Sequence, residues 1–203
     1  MEASRAEGES AERPARSSRS GSSGGELPRW LPLAFIVAGA LALVAAIVLA
    51  ALSLLGGDDR LEVGQPTEVS VQELRAFAGA SDHATYWAGT VPGFKLELTE
   101  TEDGNDYLRY LPQDVAIGDA KPTYTTIGSY PVDDAYGVAT RSAKENNLEK
   151  LEVPGGGIAV VRDAKPRTVY LAYPGSNVLA EVYAADPNQA QDLAASGKVG
   201  PVE

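Results

Sequence analysis

The sequence predicts an α+β fold: an antiparallel sheet of five or six strands, with one face covered by two or three helices, within residues 70–203. Three observations lead to this prediction. Segments in which apolar and polar residues alternate are typical of half-buried strands. Segments with apolar residues three and four apart, preceded by Ser or Asp, are typical of capped helices. An apolar run before both predicts a single transmembrane helix at 29–55.

The apolar run, residues 31–55, contains no charge, and only Pro32, Gly39 and Ser53 differ from its Ala, Val, Ile, Leu and Phe residues. About 20 apolar residues in a helix cross the hydrocarbon layer of a bilayer. A secretory signal peptide is the alternative, because small residues near Ala50 would suit a peptidase. The apolar region of a signal peptide usually has only about 7–15 residues, so the run favours an uncleaved anchor.

The charges that flank the run predict its orientation. Five arginines precede it and only Arg60 follows closely, and basic residues are retained on the cytoplasmic side of a membrane. We therefore expect residues 1–28 to be a disordered cytoplasmic tail, since their Ser- and Gly-rich composition cannot bury enough apolar surface to fold. Residues 56–69 are predicted to be a juxtamembrane linker to an extracytoplasmic domain at 70–203. The high Ala, Gly and Arg content is typical of a bacterial protein, which favours a cell envelope.

Local patterns predict the first half of the domain. Ser70 and Glu73 match a capping box, in which each group bonds the other's backbone, so a helix is expected at 71–78. Residues 81–89 predict a second short helical turn. Alternating apolar side chains on both sides of the turn sequence EDGN predict a β-hairpin at 94–111.

The second half contains further strands and helices. A strand is predicted at 123–130, and a helix at 133–148 that begins at the aspartates of DDAY. The runs GIAVVR, TVYLAYP and NVLAEVY predict a three-stranded meander within 158–183, which would leave an edge strand exposed to a partner. Asp186 followed by Pro187 predicts the start of a last helix.

Charge and cysteine content exclude several functions. Residues 56–203 carry the whole net charge of −11, and an acidic domain repels phosphate backbones, so we expect no nucleic-acid partner. The chain contains no cysteine, which excludes thiol catalysis, thiolate metal sites and attachment as a lipoprotein. No pattern predicts a metal or a cofactor: GlyGlyGly at 155–157 lacks the Lys-Ser/Thr of a phosphate loop, and the acidic turn at 102–106 does not match a calcium loop.

The candidate ligand-binding residues are His83, Tyr86 and Trp87, which the sequence places close together. On a helix, His83 would share a face with one of the two aromatic residues, and such a face stacks on a sugar or grips a peptide. The alternative is that these aromatic residues pack a helix onto the sheet. No residues are predicted to be catalytic, because a histidine beside an aspartate in sequence is not a positioned acid–base pair.

A stripe of small residues is the candidate for helix–helix contact in the membrane. Ala34, Ala38, Ala42, Ala46 and Ala50 follow each other at intervals of four. Small side chains let helices approach closely in lipid, so the stripe predicts a homodimer or a partner membrane protein. The alternative is plain alanine richness.

These observations lead to three functional hypotheses. The first is a membrane-anchored, extracytoplasmic binding or interaction domain without enzymatic activity. The second is a cell-envelope hydrolase or carbohydrate-binding protein that uses His83, Tyr86 and Trp87. The third is an accessory subunit of a larger membrane assembly.

Overall fold

The computed structural model describes residues 61–203. The predicted tail, the predicted transmembrane helix and the alanine stripe lie outside the described residues. Within residues 61–203 no helix has both the length and the apolar composition that a membrane span requires.

Ten strands and three helices form the described part of the chain. The strands are β1 (Thr67–Val69), β2 (Tyr86–Trp87), β3 (Phe94–Glu100), β4 (Asp106–Pro112), β5 (Thr126–Pro131), β6 (Glu149–Val153), β7 (Gly157–Arg162), β8 (Lys165–Ala172), β9 (Val178–Tyr183) and β10 (Gly200–Pro201). The helices are α1 (Val71–Ala80), α2 (Ala135–Glu145) and α3 (Pro187–Ala195).

The sheet confirms the predicted α+β class with an antiparallel sheet and three helices, but the predicted strand number was wrong. Eight strands lie in the order β1-β3-β4-β5-β9-β8-β7-β6, every neighbouring pair is antiparallel, and β2 forms a separate ribbon with β10. Within the eight-stranded sheet, the strands that the sequence patterns missed are the two edge strands. β1 falls at the end of the predicted linker, and β6 has charged residues at three of its five positions.

Both faces of the sheet are covered, whereas helices were predicted on one face only. On the first face, α1, α3 and the β2–β10 ribbon pack over a core that includes Leu98, Leu108, Ile127, Leu171 and Val182. On the second face, α2 packs over a core that includes Tyr107, Tyr130, Val160, Tyr170 and Leu179. The second face is covered because of the connection from β5 to β6. β5 lies in the middle of the sheet and β6 at its edge, so α2, which lies between them in the chain, crosses β9, β8 and β7.

The predicted helix starts are confirmed. The Ser70 side chain accepts from the Glu73 amide, and the Glu73 carboxylate accepts from the Ser70 amide, which completes the capping box of α1. Asp134 caps α2, and Asp186 caps α3 with Pro187 at its first turn.

Two helical predictions were wrong in extent or type. The helix predicted at 133–148 ends at Glu145, because Asn147 takes a left-handed conformation with φ of 49° and the chain turns back into β6. The turn predicted at 81–89 is a bend followed by β2, since Tyr86 and Trp87 pair with β10 near the other end of the domain.

Candidate functional site

The only histidine of the chain contacts a buried carboxylate at the start of β4. His83 Nε2 lies 3.0 Å from Asp106 Oδ2, and the Thr85 hydroxyl donates to the same oxygen at 2.7 Å. Asp106 is only 1 % exposed. Its other oxygen, Oδ1, is buried and has no hydrogen-bond partner among residues 61–203.

The same loop is fixed to the sheet by its backbone. The Tyr86 amide donates to Ser129 Oγ of β5 at 2.8 Å, and the Val202 amide donates to the Thr85 carbonyl at 2.8 Å. Ser129 and Asp106 are directly opposite each other in the ladder between β4 and β5. The two side chains are therefore adjacent acceptors that hold residues 83–86 across the first face.

Burial raises the pKa of the Asp106 carboxyl above its usual range. The hydrogen bond from Thr85 and the charge and hydrogen bond of His83 oppose this shift, while the nearby Glu100 carboxylate adds to it. Asp106 thus carries an electrostatic cost, and its two donors on Oδ2 offset part of that cost.

The arrangement contains some of the parts of acid–base catalysis but does not connect them. A carboxylate that holds a histidine orients the ring for proton transfer. However, the Thr85 hydroxyl donates to Asp106 and not to the ring, and Ser129 Oγ accepts from the Tyr86 amide. Among the residues that the structure describes, no three His, Cys, Asp or Glu side chains are grouped closely enough to hold a metal ion. The geometry indicates a polar clasp for the loop.

The three predicted ligand-binding residues occupy different environments. His83 is half-buried against Asp106, and Trp87 is half-buried beside the first-face core. Tyr86 is 3 % exposed, its ring stacks on Tyr173 with centroids 6.3 Å apart, and its hydroxyl is 3.2 Å from Ser176 Oγ. Their ligand-binding role, and with it the hydrolase or carbohydrate-binding hypothesis, stays a prediction.

A second polar cluster lies in the core of the other face. The Tyr130 hydroxyl donates to Glu181 Oε2 at 2.5 Å, and the Tyr107 and Tyr130 rings meet edge to face at 5.8 Å. Gly128 is directly opposite Glu181 in the ladder. A Cβ at Gly128 would lie 3.1 Å from the Tyr130 ring, so the missing side chain is what lets the tyrosine reach the acid. Sequence patterns did not predict this cluster.

Burial raises the pKa of the Glu181 carboxyl, and the hydrogen bond from Tyr130 and the positive charge of Lys165 only partly oppose the shift. The same burial raises the pKa of the Tyr130 and Tyr170 hydroxyls. Burial therefore favours the neutral forms of the carboxyl and hydroxyl groups in this cluster.

Mild acid is expected to stabilise the fold through Glu181. Because its pKa lies above the usual 4.5, the folded state binds the proton more tightly than the unfolded state does. This contribution is fully present below the usual pKa and is lost as pH rises through the raised one, so the Glu181 contribution to the free energy of unfolding should fall as pH rises above 4.5. Urea unfolding across a pH series should show a smaller pH dependence for Glu181→Gln.

The control for this prediction is Glu102→Gln, which removes one carboxylate from the exposed turn between β3 and β4. This variant should keep the pH dependence of the natural protein, apart from the small effect of one fewer surface charge. An unchanged pH dependence in Glu181→Gln would contradict the assignment.

The outer edge of β6 is the longest unpaired edge of the described sheet. β6 pairs with β7 on one side and ends the strand order on the other. Lys150 and Glu152 are exposed on the second face, opposite Val160 and Ile158 of β7, while Leu151 packs against the first-face core. The meander was expected to leave an edge within 158–183. The edge is instead the strand just before it, because β7 and β8 are both paired on two sides.

Comparison with known proteins gives no match, whether to family models, to curated proteins or to solved structures.

Proposed function

We propose that the protein is a membrane-anchored, extracytoplasmic interaction domain without enzymatic activity, and that the outer edge of β6 binds its partner. The observation that supports this proposal is the edge itself. A terminal strand presents unpaired backbone N–H and C=O groups in a row, and an extended segment of another chain can add to them as a further strand.

The opposite edge of the sheet is less suited to binding. β1 has only three residues, and α1 begins immediately after it. Glu68 of β1 also forms an ion pair with Lys95 at 3.3 Å. Very short edges resist pairing, so β6, with five residues, is the better platform for a partner.

The polar clasp around His83 supports a binding role over catalysis. Its hydroxyls and its carboxylate are used to hold residues 83–86 against the sheet. The predicted span at 29–55 would attach this domain to the cell membrane, with the tail at 1–28 in the cytoplasm. An assembly subunit fits the same arrangement, because a partner on β6 would be recruited close to the membrane.

Site-specific photocrosslinking of the full-length protein in native membranes tests the proposal. The chain has no natural cysteine, so Glu149→Cys on β6 and Glu68→Cys on β1 each give one attachment point for a photoreactive label. Both positions are exposed. We expect a stoichiometric adduct, identified by mass spectrometry, from position 149 and little from position 68. Equal labelling from both edges, or none from either, would contradict the proposal.

A further inference from the structure

We infer that the partner of β6 is a second copy of the chain, and that the two β6 strands pair antiparallel about a two-fold axis through Leu151. This inference rests on the proposed function of the β6 edge. The two eight-stranded sheets would then form one continuous antiparallel sheet across the dimer.

The alternation of side chains limits the registers that such a dimer can adopt. Residues opposite each other in antiparallel strands share a face, so a two-fold axis must pass through a residue and not between two residues. The register centred on Leu151 is the one that pairs all five residues of β6, because Leu151 is the middle residue of Glu149–Val153.

Charge selects the same register. With the axis at Leu151, Lys150 lies opposite Glu152 of the partner subunit, and the symmetry forms this pair twice. A shift of the axis to residue 150 would place Lys150 opposite its own copy, and a shift to residue 152 would do the same for Glu152. Opposite charges across a strand pair stabilise it and like charges destabilise it, and both side chains are exposed and free to meet.

The apolar side of β6 fits this register as well. Leu151 is half-buried against the first-face core, and the axis would bring it next to Leu151 of the partner subunit. Glu149, at the exposed end of the strand, would lie opposite Val153 of the partner subunit. On the second-face side, the joined strands thus carry an ion-pair ladder. On the first-face side, the two Leu151 side chains meet at the axis, with a Glu149–Val153 pair on either side of them.

Disulfide trapping tests the register directly. Opposite residues in an antiparallel pair have Cα atoms about 4.5–5.5 Å apart, which is within the range that a disulfide spans. In the otherwise cysteine-free chain, Leu151→Cys should form a disulfide-linked dimer when membranes are treated with copper phenanthroline. Glu68→Cys, on the other edge, should remain monomeric, and it controls for dimers brought together by contacts in the membrane.

A charge exchange in the Leu151→Cys background tests whether the pairs between Lys150 and Glu152 of the partner subunit stabilise the dimer. Lys150→Glu alone and Glu152→Lys alone each turn two opposite-charge pairs into like-charge pairs, so each should lower the yield of linked dimer roughly tenfold. The double variant, K150E with E152K, restores opposite charges and should recover the yield. Because both charge substitutions are at exposed positions, and Leu151→Cys is common to all the variants compared, loss of folding should not account for the pattern, and circular dichroism checks this.

The outcomes separate this inference from the proposed function. Failure of Leu151→Cys to form a linked dimer, or a double variant no better than the single ones, would overturn self-pairing. A stoichiometric adduct from position 149 that contains a different protein would also overturn self-pairing, while leaving β6 as the binding edge. The absence of any adduct from position 149 would contradict both the self-pairing and the proposed binding role of the β6 edge.

Discussion

Replacement of Arg109 with alanine is expected to lower the free energy of unfolding by about 3–5 kcal/mol, because it leaves a buried carboxylate without its counter-charge. Arg109 Nη1 donates to Glu97 Oε1 at 2.6 Å across β3 and β4, and both side chains are buried. Urea unfolding followed by tryptophan fluorescence measures the change.

The same variant should also loosen the connection between β4 and β5. The Gly118 amide donates to Glu97 Oε2 at 2.6 Å, and Arg109 Nη2 donates to the Asp119 carbonyl at 2.6 Å. The Arg109 guanidinium also lies 5.1 Å from the centre of the Tyr124 ring. The ion pair is thus the attachment point of this connection, and hydrogen exchange at residues 113–125 should become faster in Arg109→Ala.

Arg141→Ala is the matched control for this prediction. Arg141 forms an ion pair with Asp134 at 3.1 Å, but the two side chains are 61 % and 65 % exposed. Exposed pairs contribute little, so this variant should lose less than about 1 kcal/mol. A similar loss in both variants would show that burial does not set the cost at Arg109.

Gly128→Val is expected to lower the free energy of unfolding by about 2–4 kcal/mol, from overpacking and from the loss of a buried hydrogen bond. A Cβ at this position would lie 3.1 Å from the Tyr130 ring and 3.2 Å from its hydroxyl. The valine would displace Tyr130 from Glu181, whose carboxyl would keep its burial without its donor. Urea unfolding of the variant measures the cost.

Gly79→Val provides the control, since a Cβ at Gly79 in α1 meets no atom within 4 Å. Valine and glycine differ only modestly in helix propensity, so this variant should change the stability by less than about 0.5 kcal/mol. If Gly128→Val were tolerated equally well, the close contact with Tyr130 would not constrain the fold.

Local chemistry determined the parts of the fold that the sequence predicted well. The Ser70–Glu73 capping box, the Asp186 cap and the hairpin around EDGN depend on groups a few residues apart. Such interactions can be recognised in any chain context, because the partners are already close in sequence. The alternation of apolar residues likewise predicted the sheet and its antiparallel class.

Pairing between distant segments decided the rest. β1 and β6 are strands because β3 and β7 lie beside them, and their own patterns, one short and one charged, do not predict it. Asp106 was assigned to a turn, and only the fold brings His83 and Thr85 to it. Gly128, Tyr130 and Glu181 similarly become one cluster only when β5 and β9 pair. A contact between residues that are distant in sequence depends on the tertiary fold of the whole chain. Local patterns in a single sequence do not show which distant segments will pair.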